Sequence, residues 1–372
     1  MTPPADAVSP LLEEHTILGA TITDFAGWRM PLKYDSELAE HRAVRSAAGL
    51  FDLCHMGEIE VVGPDAGAFL DYALVSELSG IPAGRAKYSL LCNADGGVVD
   101  DLVAYRLAED HFFIVANAAN TRFVFDELSS RAAGFDATIT DRSTDTSLIA
   151  VQGPLAQDIV TALVPTDQAQ LVSDIKYYAV APAEVAGRQA LLARTGYTGE
   201  DGFELYVPSA DAVPLWRALL DVTVAHGGVP AGLASRDTLR LEAGMALYGH
   251  ELTRETNPYE TGLGKIVHLD KDFAGRDALS RLAERPPRRL LVGLVGSGRR
   301  AARAGYVVHD AAGDLPVGVV TSGALSPTLG HPIALAFVDM ATHAPGTAVT
   351  VDIRGNREPF TVTPAPFYRR PR

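Results

Sequence analysis

The chain has 372 residues, of which 47% are hydrophobic and 21% are charged, and its formal net charge at pH 7 is -14. Because a single hydrophobic core usually stops growing below this length, two or three domains are expected. An excess of acidic residues repels phosphate backbones and anionic lipid surfaces, so the composition argues against a nucleic-acid or membrane partner.

The N-terminus and the cysteines exclude further classes. The stretch MTPPADAVSPLLEEH lacks the apolar segment of a signal peptide and the arginines of a transit peptide, and no apolar run is long enough to cross a bilayer. We therefore expect a cytoplasmic protein. The two cysteines, Cys54 and Cys92, lie far apart in no metal-ligand spacing, so neither a disulfide framework nor a zinc site is predicted.

Residues 1–283 alternate strand-like and helical runs. The predicted strands include GEIEVVG, YSLLC, HFFIVAN, TSLIAVQG and GFELYVP, and the predicted helices include DAGAFLDYAL and NTRFVFDELSSRAA. Mixed strand pairs joined by hairpin turns indicate an α+β fold rather than a regular series of βαβ units. The prolines of ERPPRR predict a linker at residues 284–289. In residues 290–372, short strands separated by Gly and Pro turns predict a small C-terminal β-barrel or sandwich.

The stretch GGVVDDLVAY, residues 96–105, places two adjacent aspartates in an otherwise apolar run. Its valines and tyrosine predict a strand, and the Asn-Ala-Asp-Gly-Gly sequence before it predicts a hairpin turn. Side chains alternate between the two faces of a strand, so Asp101 shares a face with Val103 and Tyr105 while Asp100 faces the other way. An ionised carboxylate is costly on either apolar face. Either one aspartate has a functional role, or one caps a turn and the other pairs with an arginine.

The stretch RTGYTGEDGFELYV, residues 194–207, joins a glycine-rich loop to a strand. The two acidic residues of the loop would repel phosphate, so we expect the loop to shape a pocket for another kind of ligand. On the strand, Glu204 and Tyr206 share one face. A carboxylate beside an aromatic ring can recognise a flat heterocycle by accepting two N–H bonds from an amidine-like edge. A surface glutamate on a half-exposed strand explains the pattern equally well.

The stretch GLASRDTLRLEAGMALYGHEL, residues 232–252, predicts a helix. We expect Ser235 to cap this helix and Asp237 to complement its dipole from the first turn. Arg236 lies at the helix start, where a cation opposes the dipole, so it is expected to pair with an acid. That acid could belong to the protein or to a ligand.

Several familiar catalytic signatures are absent from the sequence. The chain has no G-x-x-x-x-G-K-[ST] phosphate loop, no H-E-x-x-H zinc motif and no G-x-S-x-G hydrolase elbow. It also has no Rossmann glycine fingerprint near the N-terminus. These absences argue against P-loop nucleotide hydrolases, zinc proteases, the standard serine hydrolases, and flavin or nicotinamide enzymes.

Seven separated motifs carry a resemblance when they are read together. In chain order they are DLCHMGEIEV, GGVVDDLV, FIVANAAN, LIAVQGP, RTGYTGEDGFE, ASRDTLRLEAG and GVVTSGALSPTLG. Their combination and order resemble the glycine cleavage system T-protein family, the aminomethyltransferases, over most of the chain. The resemblance implies a three-lobed α+β molecule that binds tetrahydrofolate and ends in a small C-terminal β-barrel domain.

The resemblance also implies a reaction and a set of residues. Such enzymes transfer the aminomethyl-derived carbon from the lipoyl arm of the H protein to tetrahydrofolate, giving 5,10-methylenetetrahydrofolate, ammonia and dihydrolipoyl H protein without a metal. By motif, Asp101 is the catalytic residue at the reactive folate nitrogens, Glu204 holds the pterin edge, and Arg236 is a further folate contact. By position, four more residues resemble pocket residues: Met56, Tyr88, Asn117 and Tyr197.

The chemistry of the transfer agrees with the role of Asp101. Expelling a thiol or ammonia from a carbon that bears both sulfur and nitrogen passes through a cation, which a nearby carboxylate stabilises. Ring closure on the second folate nitrogen releases a proton, which a positioned carboxylate can accept. Asp100, on the opposite strand face, could not reach the same atoms.

The chain departs from the family pattern in two places. Leu53 and Cys54 stand where many relatives have Val-Ser, and the ending APFYRRPR, with Tyr368, fits only loosely. Two other functions stay open: a tetrahydrofolate-dependent demethylase of a small methylated substrate, and a non-catalytic folate-binding protein. A related branch that acts in iron–sulfur cluster maintenance has a cysteine in its glycine loop, where this chain has Tyr197.

A group of arginines stands out on this acidic chain and comprises Arg285, Arg288, Arg289, Arg299, Arg300 and Arg303. It could dock an acidic H protein, or it could be a solvated, arginine-rich linker. The second interpretation is the simpler one.

Overall fold

The structure is a computed structural model that describes residues 7–312 and 315–371. In chain order its strands are β1 (Ala7–Val8), β2 (Thr21–Phe25), β3 (Trp28–Lys33), β4 (Gly49–Asp52), β5 (Gly57–Val62), β6 (Arg85–Cys92), β7 (Val98–Ala108), β8 (His111–Ala116), β9 (Thr138–Asp141), β10 (Thr146–Gln152), β11 (Val180–Val185), β12 (Arg188–Ala193), β13 (Gly202–Pro208), β14 (Val229–Pro230), β15 (Arg289–Gly296), β16 (Val307–His309), β17 (Pro316–Leu325), β18 (Pro332–Asp339), β19 (Ala348–Ile353) and β20 (Asn356–Thr363). Its α-helices are α1 (Leu12–Ile17), α2 (Glu37–Ser46), α3 (Ala66–Ala73), α4 (Thr121–Arg131), α5 (Ala156–Thr161), α6 (Ala169–Asp174), α7 (Ala212–Ala225), α8 (Leu233–Glu242) and α9 (Arg276–Ala283). The predicted α+β fold is confirmed.

The chain forms two compact units. The first contains the residues up to Ser89 together with Asp101–Arg236, and the second contains Leu90–Asp100 and the residues from Asp237 onward. The boundaries between the units therefore fall inside β6, β7 and α8. All the site residues predicted from the sequence belong to the first unit, namely Met56, Tyr88, Asp101, Asn117, Tyr197, Glu204 and Arg236.

A six-stranded sheet with the strand order β11-β12-β13-β10-β4-β14 lies in the first unit. Helix α7 packs on one face of this sheet, where its buried Trp216 and Leu219 join a core that also contains Leu205 of β13. Side chains alternate along β13, so Glu204 and Tyr206 point away from that core. One face of the sheet is therefore buried against α7, and the opposite face carries Glu204 and Tyr206.

A five-stranded sheet with the order β6-β7-β8-β5-β9 carries the other predicted carboxylate, Asp101. The stretch with the two aspartates forms strand β7, as predicted. Val103 of β7 lies opposite Val115 of β8, which in turn lies opposite Glu58 of β5. Because opposite residues share a face and faces alternate along each strand, Asp101, Tyr105 and Glu58 all point to the same side of the sheet.

The second unit contains a closed six-stranded barrel with the order β15-β18-β17-β16-β19-β20, so the predicted barrel or sandwich is a barrel. Residues 284–288 connect α9 to the first barrel strand, which begins at Arg289. Three members of the arginine group make contacts on the barrel: Arg289 lies 4.4 Å from the centroid of the Phe337 ring, Arg300 pairs with Glu358 at 3.1 Å, and Arg303 donates to the carbonyl of Gly323 at 2.8 Å. The barrel interior is apolar and includes Leu294, Val308, Val320, Ala336, Val351 and Val362.

A buried charge network joins the end of α8 to the barrel within the second unit. Arg240, only 1% exposed, donates from Nη1 to Glu251 at 3.1 Å and from Nη2 to the hydroxyl of Ser322 at 2.7 Å. The Ser322 hydroxyl donates to the other carboxylate oxygen of Glu251 at 2.7 Å. Each of these three side chains is hydrogen-bonded to the other two, so neither the Arg240 charge nor the Glu251 charge is buried without a partner.

A second buried network centres on Asp52 in the first unit. The Asp52 carboxylate contacts Nε2 of His15 at 2.7 Å, and it accepts hydrogen bonds from the hydroxyl of Ser9 and from the backbone N–H of Cys54. The Tyr34 hydroxyl contacts the other ring nitrogen of His15 at 2.9 Å. Burial alone would raise the pKa of Asp52, but these hydrogen bonds, led by His15, outweigh burial and lower it.

The Asp52→Asn substitution should destabilise the protein by about 3 kcal/mol at neutral pH, because it removes one partner of a buried ionic hydrogen bond. A carboxyl whose pKa is lowered on folding stabilises the native state above its unfolded pKa, roughly pH 4, and that stabilisation is lost as the pH falls through the folded value. Urea unfolding measured at a series of acidic pH values should show this dependence in the wild type and a weaker one in the variant. The exposed Asp167→Asn substitution is the control. If the free energy of unfolding depended equally on acidic pH in the wild type and in both variants, Asp52 would not be the group responsible.

Candidate functional site

Two neighbouring side chains hold the Asp101 carboxylate in place. The Tyr88 hydroxyl, on β6, donates to Oδ2 at 3.0 Å, and Nδ2 of Asn117, just after β8, donates to Oδ1 at 2.8 Å. The same amide nitrogen also donates to the backbone carbonyl of Asp101 at 3.0 Å. Burial, and after it the charge of Asp101, raises the pKa of Tyr88 well above its usual value, so the phenol keeps its proton and remains a donor.

The two adjacent aspartates of β7 have different surroundings. Asp101 is partly exposed, whereas Asp100 is fully buried. This difference follows from the alternation of side chains along the strand. The structure thus brings Asp101, Tyr88 and Asn117 together by direct hydrogen bonds and leaves Asp100 outside this group.

Glu204 lies on the facing six-stranded sheet and is anchored through one oxygen. Its Oε2 accepts hydrogen bonds from the hydroxyls of Thr195 and Tyr105, the latter at 3.3 Å. The Tyr105 hydroxyl also contacts the hydroxyls of Thr195 at 2.9 Å and Tyr206 at 3.1 Å. Within the described part of the chain no donor reaches Oε1 of Glu204, and Glu204 is partly exposed. Because Tyr105 shares a sheet face with Asp101, the two carboxylates line the same space between the two sheets.

Arg236 supplies a positive charge to this space. Its guanidinium carbon lies 4.9 Å from the centroid of the Tyr197 ring, a cation–π distance. Its Nη1 atom is buried and has no hydrogen-bond partner among the described residues. Burial lowers the pKa of Arg236, while the nearby Glu204 charge opposes that shift. An arginine with an unused, buried N–H group beside a carboxylate is poised to bind a polar ligand group.

Met56 is the remaining predicted residue. It lies in the turn before β5, where its backbone N–H donates to the carbonyl of Leu53 at 3.0 Å, and it is partly exposed. Gly57 is paired with Ala116, so Met56 lies one position beyond that pair, beside Asn117. Met56 is therefore close in strand register to Asn117, the residue that donates to Asp101.

The start of α8 differs from the sequence prediction. The helix begins at Leu233, so Ser235 lies inside its first turn rather than at the cap, and the predicted capping role is wrong. The Ser235 hydroxyl donates back to the carbonyl of Gly232 at 2.9 Å. The backbone N–H of Gly232 is bound instead by Glu40 of α2, at 2.9 Å. A carboxylate from a distant helix thus takes the place of the local cap.

The glycine-rich loop is fixed by packing and by ion pairs. A Cβ at Gly196 would lie 1.9 Å from Oε1 of Gln152, and one at Gly202 would lie 2.3 Å from Nε2 of the same side chain, so a larger residue at either position would displace the buried Gln152 amide. The two acidic residues of the loop pair internally, Glu200 with Arg45 at 2.9 Å and Asp201 with Arg194. Their charges are therefore used to hold the loop in place.

Sequence reasoning did not assign a role to three supporting residues. Tyr105 and Thr195 hold Glu204, and His55 lies buried next to Arg236. Burial, followed by opposing effects of Asp52 and Arg236, lowers the pKa of His55 to about 4, so its imidazole is neutral at neutral pH. For these three residues the sequence gives one signal: strand alternation predicts that Tyr105 lies on the same face as Asp101.

Two kinds of feature are absent from the described residues. No helix in residues 7–312 or 315–371 is long and apolar enough to span a bilayer. In the same residues, no group of three or more His, Cys, Asp or Glu side chains has an arrangement that could hold a metal ion.

Comparison with known proteins identifies the family. The GCVT N-terminal domain family matches residues 11–271, and the glycine cleavage T-protein C-terminal barrel domain family matches residues 289–369. The aminomethyltransferase of Saccharopolyspora erythraea is 57% identical over 97% of this chain and 98% of its own, and that of Streptomyces avermitilis is 56% identical over 96% of each. The crystal structure of glycine cleavage system aminomethyltransferase T from Bartonella henselae is 38% identical, covers 98% of both chains and has a TM-score of 0.89. The chain therefore belongs to the glycine cleavage T-protein family and is a tetrahydrofolate-dependent aminomethyltransferase.

Proposed function

We propose that tetrahydrofolate binds between the six-stranded and the five-stranded sheet, with Glu204 at its pterin edge and Asp101 at its reactive nitrogens. The observation that carries this proposal is the contrast between the two oxygens of Glu204. Oε2 is held by Thr195 and Tyr105, whereas Oε1 is open to a ligand. An anchored carboxylate with one open oxygen is a preorganised acceptor for a heterocyclic N–H group.

The remaining predicted residues complete the proposed site. Arg236 offers its unpartnered Nη1 to an acceptor on the folate, and the Tyr197 ring keeps the guanidinium in place. Met56 supplies apolar surface at the Asp101 end. Tyr88 and Asn117 fix Asp101 and so define where its charge lies.

Asp101 has two tasks in the proposed mechanism. The lipoyl arm of the H protein delivers a carbon bonded to both sulfur and nitrogen, and departure of either group leaves a cation that the carboxylate stabilises. Two new C–N bonds form to the folate as the C–S and C–N bonds of the donor break. The two N–H protons lost by the folate end on the thiol and on ammonia, and Asp101 is positioned to relay one of them.

The substitution Glu204→Gln should raise the KM for tetrahydrofolate by about 10- to 100-fold, the effect of losing a charge-assisted hydrogen bond, with a smaller effect on kcat. The amide keeps the size of the side chain but removes its charge and turns one acceptor into a donor. Steady-state kinetics at fixed H protein and varied tetrahydrofolate would measure the split. Glu184→Gln, on edge strand β11 of the same sheet, is the matched control. A KM unchanged in the Glu204 variant would contradict the proposed pterin contact.

A further inference from the structure

Glu58 is a buried acid that the proposed mechanism does not use. It lies on β5 and is fully buried, and both of its carboxyl oxygens lack a hydrogen-bond partner among the described residues. Its backbone, in contrast, is satisfied: the N–H donates to the Ser143 hydroxyl at 3.0 Å, and the carbonyl accepts from the N–H of Arg142 at 2.8 Å. A side chain in such a place is costly if ionised and is better tolerated as a neutral acid.

The position of Glu58 relates it to the site. Strand register puts it on the sheet face that carries Asp101 and Tyr105, with Val115 of the intervening strand between them. On the facing sheet, burial is the main cause that raises the pKa of the Tyr206 phenol well above its usual value, and a charge on Glu58 adds a smaller contribution in the same direction. Tyr206 contacts Tyr105, and Tyr105 in turn holds Glu204. Glu58 therefore shares a sheet face with Tyr105, one of the residues that anchor Glu204.

The surroundings of Glu58 favour its protonated form. Burial, and after it the charge of Asp141 on β9, raises the pKa of Glu58 well above its usual value. No cation among the described side chains bonds to the Glu58 carboxyl group. The nearby Arg142 is paired with Glu60 instead, at 2.8 Å. The titratable or charged groups that surround Glu58 on its own and the adjoining elements are Cys54, Glu60, Asp101, Asp141, Arg142 and Tyr206.

We propose that Glu58 is a positioning residue for folate binding, whose neutral carboxyl keeps the Tyr206–Tyr105–Glu204 chain in its binding arrangement and confines negative charge to Glu204 and Asp101. This inference rests on the proposed function, since it takes Glu204 as a folate contact. Ionisation of Glu58 would add a third buried carboxylate to the sheet face that carries Asp101 and Tyr105, where its negative charge would oppose those of Glu204 and Asp101 and disturb the chain that anchors Glu204.

The test is the affinity for tetrahydrofolate as a function of pH, measured anaerobically by titration calorimetry on the full chain from about pH 6 to pH 10. We expect the wild-type Kd to rise by about tenfold per pH unit once the pH exceeds the pKa of Glu58, because the ligand then binds only the protonated fraction. Glu58→Gln, which is uncharged at every pH, should lose this rise. Glu58→Ala should raise Kd even at neutral pH, and the glutamine variant should recover part of that loss.

The control is Glu60→Gln, because Glu60 shares the strand and the sheet face but is partly exposed and paired with Arg142 and His111. It should keep the wild-type pH profile. A Glu58→Gln profile identical to that of the wild type would overturn the proposal. If neither Glu58 variant folds, the wild-type measurement is enough to test the proposal, because a Kd for tetrahydrofolate that is constant from about pH 6 to pH 10 also overturns it. Absence of tetrahydrofolate binding at every pH would instead refute the proposed folate site itself.

Discussion

The substitution Asp101→Asn should lower kcat by about 10²- to 10⁴-fold, the loss expected when a carboxylate that stabilises charge and relays a proton is neutralised. Folate binding should persist, because the asparagine oxygen can still accept from Asn117 and its NH₂ group can donate to the Tyr88 hydroxyl. Equilibrium binding of tetrahydrofolate, circular dichroism and turnover with aminomethylated H protein would together separate a catalytic loss from a folding loss.

The neighbouring substitution Asp100→Asn is the matched control for this experiment. Asp100 is fully buried on the opposite strand face, so its variant should lose about 1 to 3 kcal/mol of stability while the folded fraction keeps its turnover. Equal losses of turnover in both variants, with folding intact, would contradict the assignment of the two aspartates to different roles.

The substitution Arg240→Met should destabilise the second unit by about 3 to 5 kcal/mol, because it leaves the carboxylate of Glu251 buried without its cation. Arg240 and Glu251 are 1% and 0% exposed in their side chains, so solvent does not screen the loss. Urea unfolding followed by circular dichroism would measure it.

A partner of Arg240 on the surface provides the control. Asp237 also pairs with Arg240, at 2.8 Å, but its side chain is 54% exposed. The Asp237→Asn substitution should therefore cost less than about 1 kcal/mol. If both substitutions cost the same, the stability of this region does not depend on the buried triangle of Arg240, Glu251 and Ser322.

The two aspartates of β7 show how far local sequence patterns reach. Alternation in GGVVDDLVAY was enough to separate Asp101 from Asp100, because the side-chain period of a strand is fixed by its geometry. The structure then places Asp101, partly exposed, between Tyr88 and Asn117. These partners came from the family resemblance, since no local pattern indicates which residues of other strands will meet Asp101.

The cap of α8 shows where local reasoning fails. Ser235 is the kind of residue that caps helices, and it stands near the right place in the sequence. The N–H of Gly232 is instead bound by Glu40, which is 192 residues away. A tertiary hydrogen bond therefore satisfies the backbone at the helix start, and only the folded chain can show this.

The anchoring of Glu204 likewise depends on residues that are distant from it in the sequence. Its side chain depends on Tyr105, which is 99 residues distant, and through Tyr105 on Tyr206. The sequence indicated that Glu204 and Tyr206 share a strand face, but the selection of one open and one bound carboxylate oxygen arises only when the two sheets face each other. The fully buried Glu58 belongs to the same layer, and its alternating strand position gave no signal of a role.

The most direct test of the central claim mixes the purified protein with tetrahydrofolate and aminomethylated lipoyl H protein and follows ammonia and 5,10-methylenetetrahydrofolate together. We expect both products to form in equal amounts, and the Asp101→Asn variant to form neither at a comparable rate. Tetrahydrofolate binding without either product would contradict the aminomethyl transfer at this site and would favour a folate-dependent demethylase or a folate carrier.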